Sequence, residues 1–145
     1  MLSFRNALTN GIVDAKALQY HLKDIVDEDA GETKIWSTNS SVHFPKLPAG
    51  VPACSLFATS PPGEKQRGRE NEPEFVGILL TLVRLVEQET DVLVAVNVPH
   101  IVGQYGVEEV RLEEGVRGGL VERAERVMER VIGSFEIREW ELFVN

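Results

Sequence analysis

The feature that most restricts this chain is the stretch from Glu74 to Pro99, EFVGILLTLVRLVEQETDVLVAVNVP. Its first arm, Phe75 to Val86, is apolar except at Gly77, Thr81 and Arg84, and its second, Val92 to Val98, has valine at every even position. The β-branched content favours strands over helices of this length. Between the arms, Glu87 to Asp91 is the only charged break, and a break of about three to five residues fits a hairpin. A strand with one wet face alternates apolar and polar residues. Here Val76, Ile78, Leu80 and Leu82 on one face and Phe75, Leu79, Val83 and Leu85 on the other are all apolar, so both sides of the sheet must be covered. The run is not a membrane span: an acidic turn interrupts it after about a dozen residues, whereas a transmembrane helix needs roughly 20.

Two amphipathic helices are the natural covers. Leu18, Leu22, Ile25 and Val26 recur at helical spacing, predicting a helix from Asp14 to Val26 with Asp14 as N-cap and Gly31 as stop. Leu120, Val121, Ala124, Val127, Met128, Val131 and Ile132 form the apolar face of a second helix. Its wet face carries alternating Glu and Arg, and Gly133 ends it. The tail FEIREWELFV alternates Phe135, Ile137 and then Trp140 and Leu142/Phe143, so it is expected to pack back on the body.

The remaining segments are shorter or irregular. Lys34 to Trp36 and Ala53 to Ala58 read as short strands, with Val42 to Phe44 as a brief pairing segment before Pro45, Pro48 and Pro52 confine the chain to turns and edges. Thr59 to Pro73 is a loop rich in proline, glycine and charge that holds the basic cluster Lys65, Arg67 and Arg69. His100 to Gly119 is a second, glycine-rich surface loop.

Composition narrows the function classes. A chain of 145 residues, 43% hydrophobic, is the size of one domain with material for a core. Its net charge of -8 opposes binding to nucleic acid or to anionic lipid and suits a basic protein surface. Cys54 is the only cysteine, so no internal disulfide forms, and no Cys/His cluster has metal-ligand spacing. This pattern fits a reducing compartment. The first ten residues lack the apolar stretch of a signal peptide. No phosphate-cradling glycine motif occurs. Cys54 reads as a small buried apolar residue, His43 and His100 as loop histidines beside prolines, and no nucleophile, base and orienting group assemble. No cofactor is implied.

One local rule is broken. Asp24, Asp27, Glu28 and Asp29 crowd the end of the first helix, where the macrodipole favours cations. One reading is a solvated helix end grading into a loop; the other is a docking site for Lys and Arg side chains of a partner. A calcium loop fails, because the spaced ligands and distal glutamate of an EF-hand are missing.

The string TDVLVAVNVP at Thr90 to Pro99, preceded by LLTLVRL at Leu79 to Leu85, resembles the strand pair of the Ran guanine-nucleotide release factor family, the Mog-type Ran-binding proteins. YHLKD at Tyr20 to Asp24 resembles the same family's helix motif, and FEIREWELF at Phe135 to Phe143 its C-terminus. The resemblance implies an α/β (α+β) fold, PsbP-like, with a largely antiparallel sheet flanked by helices on both faces. It also implies a non-catalytic protein of nucleus and cytoplasm that binds the small GTPase Ran, promotes guanine-nucleotide release and supports nuclear protein import. Of the family's acidic partner surface, Asp24 carries over by motif, with His21 as its motif neighbour; Asp27 and Glu28 join it on the charge argument alone. Nothing in Met1 to Ile12 resembles the family's N-terminal segment, with its glycine-glycine-alanine turn and P-D-x-x-E motif. The expected organisation is an unmatched segment 1–13 and an N-terminally incomplete Ran-binding domain 14–145, with one sheet edge open or filled by a partner. The alternative from another class is a PsbP-like ligand-binding or adaptor module with no GTPase partner. A deep apolar pocket between sheet and helix would favour it.

Overall fold

The computed structural model describes residues 4–62, 74–101, 110–115 and 117–143, with side chains from Asp14 onward except Glu28. Helix α1 (Phe4–Val26) leads by way of a 3-10 segment (Asp27–Glu32) into strands β1 (Lys34–Asn39), β2 (Ala53–Ser60), β3 (Phe75–Leu85) and β4 (Thr90–His100), followed by helix α2 (Gly118–Ser134) and a final 3-10 turn (Trp140–Phe143). The strands form one antiparallel sheet in the order β1-β2-β3-β4. This is the expected α+β fold, an antiparallel sheet with a helix on each face.

The first arm of the hairpin, β3, lies inside that sheet between β2 and β4, and the second arm, β4, is at its edge. Leu80 pairs with Leu56 on one side and Ala95 on the other, so its neighbours in β2 and β4 share its face. Ile78, Leu80 and Leu82 join Leu56, Ala58 and Cys54 beneath Leu18 and Leu22 of α1. On the opposite face, Leu79, Phe57 and Val98 pack under Val121, Ala124 and Met128 of α2. The absence of alternation in β3 thus has the predicted cause. Leu80, Leu82 and Val83 are fully buried, and each such side chain contributes about 1.5 to 3 kcal/mol relative to exposure. The tail packs back through Phe135, Ile137, Trp140 and Phe143, which lie against a cluster of Phe44, Leu47, Ala53, Val83 and Leu85, whereas Leu142 of the expected set is exposed.

Several boundaries differ from the sequence expectation. Helix α1 begins at Phe4, ten residues before Asp14, and Asp14 is an interior helical residue whose carboxylate is held by Arg84 at 3.0 Å instead of capping a terminus. Gly31 does not stop the helix. Asp27 does, with φ of +49°, a left-handed conformation that aspartate tolerates better than most residues. Strand β1 continues through the polar residues to Asn39, because Trp36 is the extra residue of a bulge between Ile35 and Ser37. The bulge sends the Trp36 ring toward the α2 face, where its Nε1 donates to Thr59 Oγ1 at 2.8 Å. Thr59 and Ser60, expected in a loop, complete β2. The hairpin loop is Val86 to Glu89, with Glu89 left-handed at φ +51°, so Thr90 and Asp91 already belong to β4. Within the second expected loop, Leu112–Glu114 forms a 3-10 turn. The basic cluster Lys65, Arg67 and Arg69 and residues 102–109 lie outside the described residues.

The two helices cover the sheet diagonally. Helix α1 lies over β2 and β3, whereas α2 lies over β3 and β4. Strand β4 therefore has one covered face, Val94, Val96 and Val98 toward α2, and one open face, on which Asp91, Leu93, Ala95, Asn97 and Pro99 are exposed. The alternation of β4 reports this directly.

Candidate partner-binding surface

The acidic end of α1 is built by a helix that stops abruptly. After Val26 the left-handed Asp27 tightens the chain into the 3-10 segment, and Thr33 fastens its far end. The Thr33 hydroxyl donates to the Asp29 carbonyl at 2.7 Å and lies 3.2 Å from Ser60 Oγ of β2. Asp24 and Asp27 are exposed, whereas Asp29 is half-buried. Among the described residues Asp24 has no ion-pair partner. Glu28 contributes its backbone to the 3-10 segment, and its side chain lies outside what the structure describes. Of the four residues singled out in the sequence, Asp24 and His21 share one helix flank at a spacing of three. Asp27 lies just past the last helical turn.

His21 turns toward β4 and stays partly exposed. Its Nε2 lies 3.2 Å from Asp91 Oδ2 of β4, and Tyr20 meets its ring edge-on at a centroid distance of 5.8 Å. Asp91 Oδ1 accepts from Arg84 Nε at 3.1 Å, and Arg84 Nη1 donates to Asp14 Oδ1 at 3.0 Å. Four side chains thus form one half-buried chain, Asp14–Arg84–Asp91–His21, that clamps α1 to β3 and β4 at two points seven residues apart. Burial works against the charge of Arg84, but hydrogen bonds to Asp14 and Asp91 outweigh it and raise its pKa above the ordinary value.

Sequence reading missed Arg84, Asp91 and Asp14. The signal was present: Arg84 is the one charge in an apolar strand, and Asp91 is directly opposite it across the hairpin. With the hairpin break placed at Glu87 to Asp91, Asp91 counted as loop and the pair went unseen.

Cys54 is buried on the α1 face. Its thiol donates weakly to the Asp14 carbonyl at 3.7 Å. Burial first, and the nearby Asp14 carboxylate second, push its pKa up to about 11, so the thiolate a nucleophile needs is suppressed at neutral pH.

The other face carries a cleft of about 320 Å3 between the sheet and α2, lined by Ser37, Thr81, Arg117, Glu125, Met128 and Glu129 among others. Two of its charges, Arg117 and Glu125, are used internally. Arg117 pairs with Glu125, donates to Ser37 Oγ at 2.9 Å and lies 4.8 Å above the Phe57 ring, while the buried Thr81 hydroxyl donates to Met128 Sδ at 3.4 Å. Among the described residues no group of three or more His, Cys, Asp or Glu side chains has the geometry to hold a metal. No described helix is long and apolar enough to cross a membrane.

Comparison with known families places these features in context. A family model described as "Ran-interacting Mog1 protein" matches residues 6–99, from the first turns of α1 through the length of the hairpin. No curated protein and no solved structure matches the chain. The matched span takes in Asp14, His21, Asp24, Arg84 and Asp91 together, and it covers well over half of the sequence. The chain belongs to the Mog1 family of Ran-interacting proteins.

Proposed function

We propose that this protein binds the small GTPase Ran through the acidic end of α1 and promotes release of its guanine nucleotide, in support of nuclear protein import, in nucleus and cytoplasm. Asp24 is the central residue of the proposed contact, with His21 holding the flank in place and Asp27 and Glu28 adding negative charge. The observation that carries this reading is the state of Asp24. An exposed carboxylate near a helix C-terminus is locally unfavourable, and among the described residues no cation compensates it. A Lys or Arg supplied by a partner would.

The activity needs no bond making by this chain. A protein that binds the nucleotide-free GTPase better than the loaded one weakens nucleotide affinity by the same factor, because coupling between two ligands is reciprocal. Carboxylates suit this role by competing for a basic side chain of the GTPase that otherwise serves the nucleotide.

The experiment is release of a labelled guanine nucleotide from Ran with the wild-type chain and with Asp24→Ala. Acceleration by wild type and a loss of about tenfold or more in Asp24→Ala is expected, the usual weight of a central charged contact. Equal rates for the two proteins would remove Asp24 from the site, and no acceleration by either would remove the exchange activity. A ligand-binding or adaptor role would rely on the cleft beneath α2. The pairing of Arg117 with Glu125 inside that cleft favours the GTPase reading, and a pull-down against Ran separates the two.

A further inference from the structure

We infer that the Ran-facing surface continues from the acidic end of α1 across the His21–Asp91 contact onto the open face of β4. The contact partner is there a basic protein surface with an apolar ridge. The inference rests on the proposed function and extends it to residues outside the helix.

Three observations converge on this shelf. First, the diagonal placement of the helices leaves one face of β4 bare among the described residues, although its β3 neighbours Ile78, Leu80 and Leu82 are at most 3% exposed. The edge of the cover therefore runs between β3 and β4. Second, large apolar side chains cluster around the point where α1 touches β4. Leu93, two residues from Asp91 on the same strand face, is 37% exposed. Ile25, one helical turn from His21, is 42% exposed, and Tyr20 beside it is 70% exposed. Third, the helix side of this shelf carries the exposed carboxylates of Asp24 and Asp27, in a chain of net charge -8, while Asp91 on the strand side is already held by Arg84 and His21. An apolar floor with an acidic rim is complementary to apolar side chains flanked by Lys or Arg.

The long outer edge of β4 borders this face. Exposed edge strands are ordinarily protected by lysines or kept short. Strand β4 has 11 residues, no lysine or arginine, and ends the sheet among the described residues. The Asp14–Arg84–Asp91–His21 chain then acts as a joint. It sets the distance between the helix flank that carries Asp24 and the strand face that carries Leu93 and Ala95, so both present one surface.

The test measures affinity for nucleotide-free Ran with Leu93→Lys, Ala95→Lys and Asp24→Ala, and with Val127→Lys on the opposite, α2 side as control. Val127 is 48% exposed. Thermal melts of each variant accompany the binding curves, and Ala95→Lys keeps the test valid if Leu93→Lys folds poorly. A fall in affinity of about tenfold or more in the β4 variants, with unchanged melting and wild-type binding by Val127→Lys, is expected. If Asp24→Ala weakens binding while the folded β4 variants bind like wild type, the extension onto β4 is overturned and the helix site stands. If the wild-type chain itself does not bind Ran, the proposed function fails and takes this surface with it.

Discussion

Cys54 sits between α1 and the sheet with its thiol beneath the Asp14 carbonyl, and its titration has a consequence for stability. The folded protein holds the thiol proton up to a pH of about 11, against 9.0 for the unperturbed group. Between those values the folded state binds more protons than the unfolded chain, so stability falls as pH rises. Below pH 9 this contribution is constant. Denaturant melts between pH 8 and 11 are expected to show a loss reaching about 2 kcal/mol that is absent in Cys54→Ala, beyond the slope both proteins share. Parallel slopes would show that the thiol is not held in this way. Residue identity made some of this legible, since a lone cysteine in an apolar strand reads as buried. Its upward shift comes first from burial beneath α1 and second from the carboxylate of Asp14, forty positions away, which no local pattern connects to it. The same holds for Arg84: a charge inside an apolar strand is visible in the sequence, but its two carboxylate partners are supplied by a different strand and a different helix.

Elements were read well where one period dominated. Strand β3 is apolar on both faces because each face has its own helix, and α2 and the returning tail followed from a clear 3.6-residue pattern and alternating aromatics. The sequence reading starts α1 too late because Phe4, Leu8 and Ile12, which recur at helical spacing, stand among polar residues and beside Gly11, so the apolar signal of the first turns is weak. Its end at Val26 agrees with the sequence expectation, but the residue that stops it is the left-handed Asp27 and not Gly31. The packing makes a quantitative prediction about this helix. Leu22 is 3% exposed in the cluster with Leu56 and Leu80, whereas Tyr20 on the same turn is 70% exposed. Leu22→Ala should lower unfolding free energy by about 2 to 4 kcal/mol, and Tyr20→Ala by less than about 1 kcal/mol. Chemical denaturation of the two variants checks this, and a similar loss in both would mean that α1 is seated differently.

At the scale of the whole molecule the dominant property is charge. A net charge of -8 with the acidic end of α1 exposed should steer a basic partner over long range. The association rate constant with Ran is therefore expected to fall several-fold between about 50 and 500 mM salt, while the dissociation rate changes less. Stopped-flow measurements across that range test it, and a salt-independent association rate would assign recognition to apolar contacts alone.

What the sequence alone determined is what local pattern and composition encode. It specified a β-hairpin buried on both faces, two covering helices, a tail that folds back, an acidic helix end and the motifs of a Ran-interacting family. These depend on periodicity and residue type over short windows, where the hydrophobic effect acts on each element separately. Only the tertiary structure decided that the helices lie diagonally, leaving one face of β4 open, and that Asp14, His21, Arg84 and Asp91 meet. Such contacts join residues as many as seventy positions apart. Their formation depends on strand register and helix placement, which are set by the packing of the whole core and not by any segment of it.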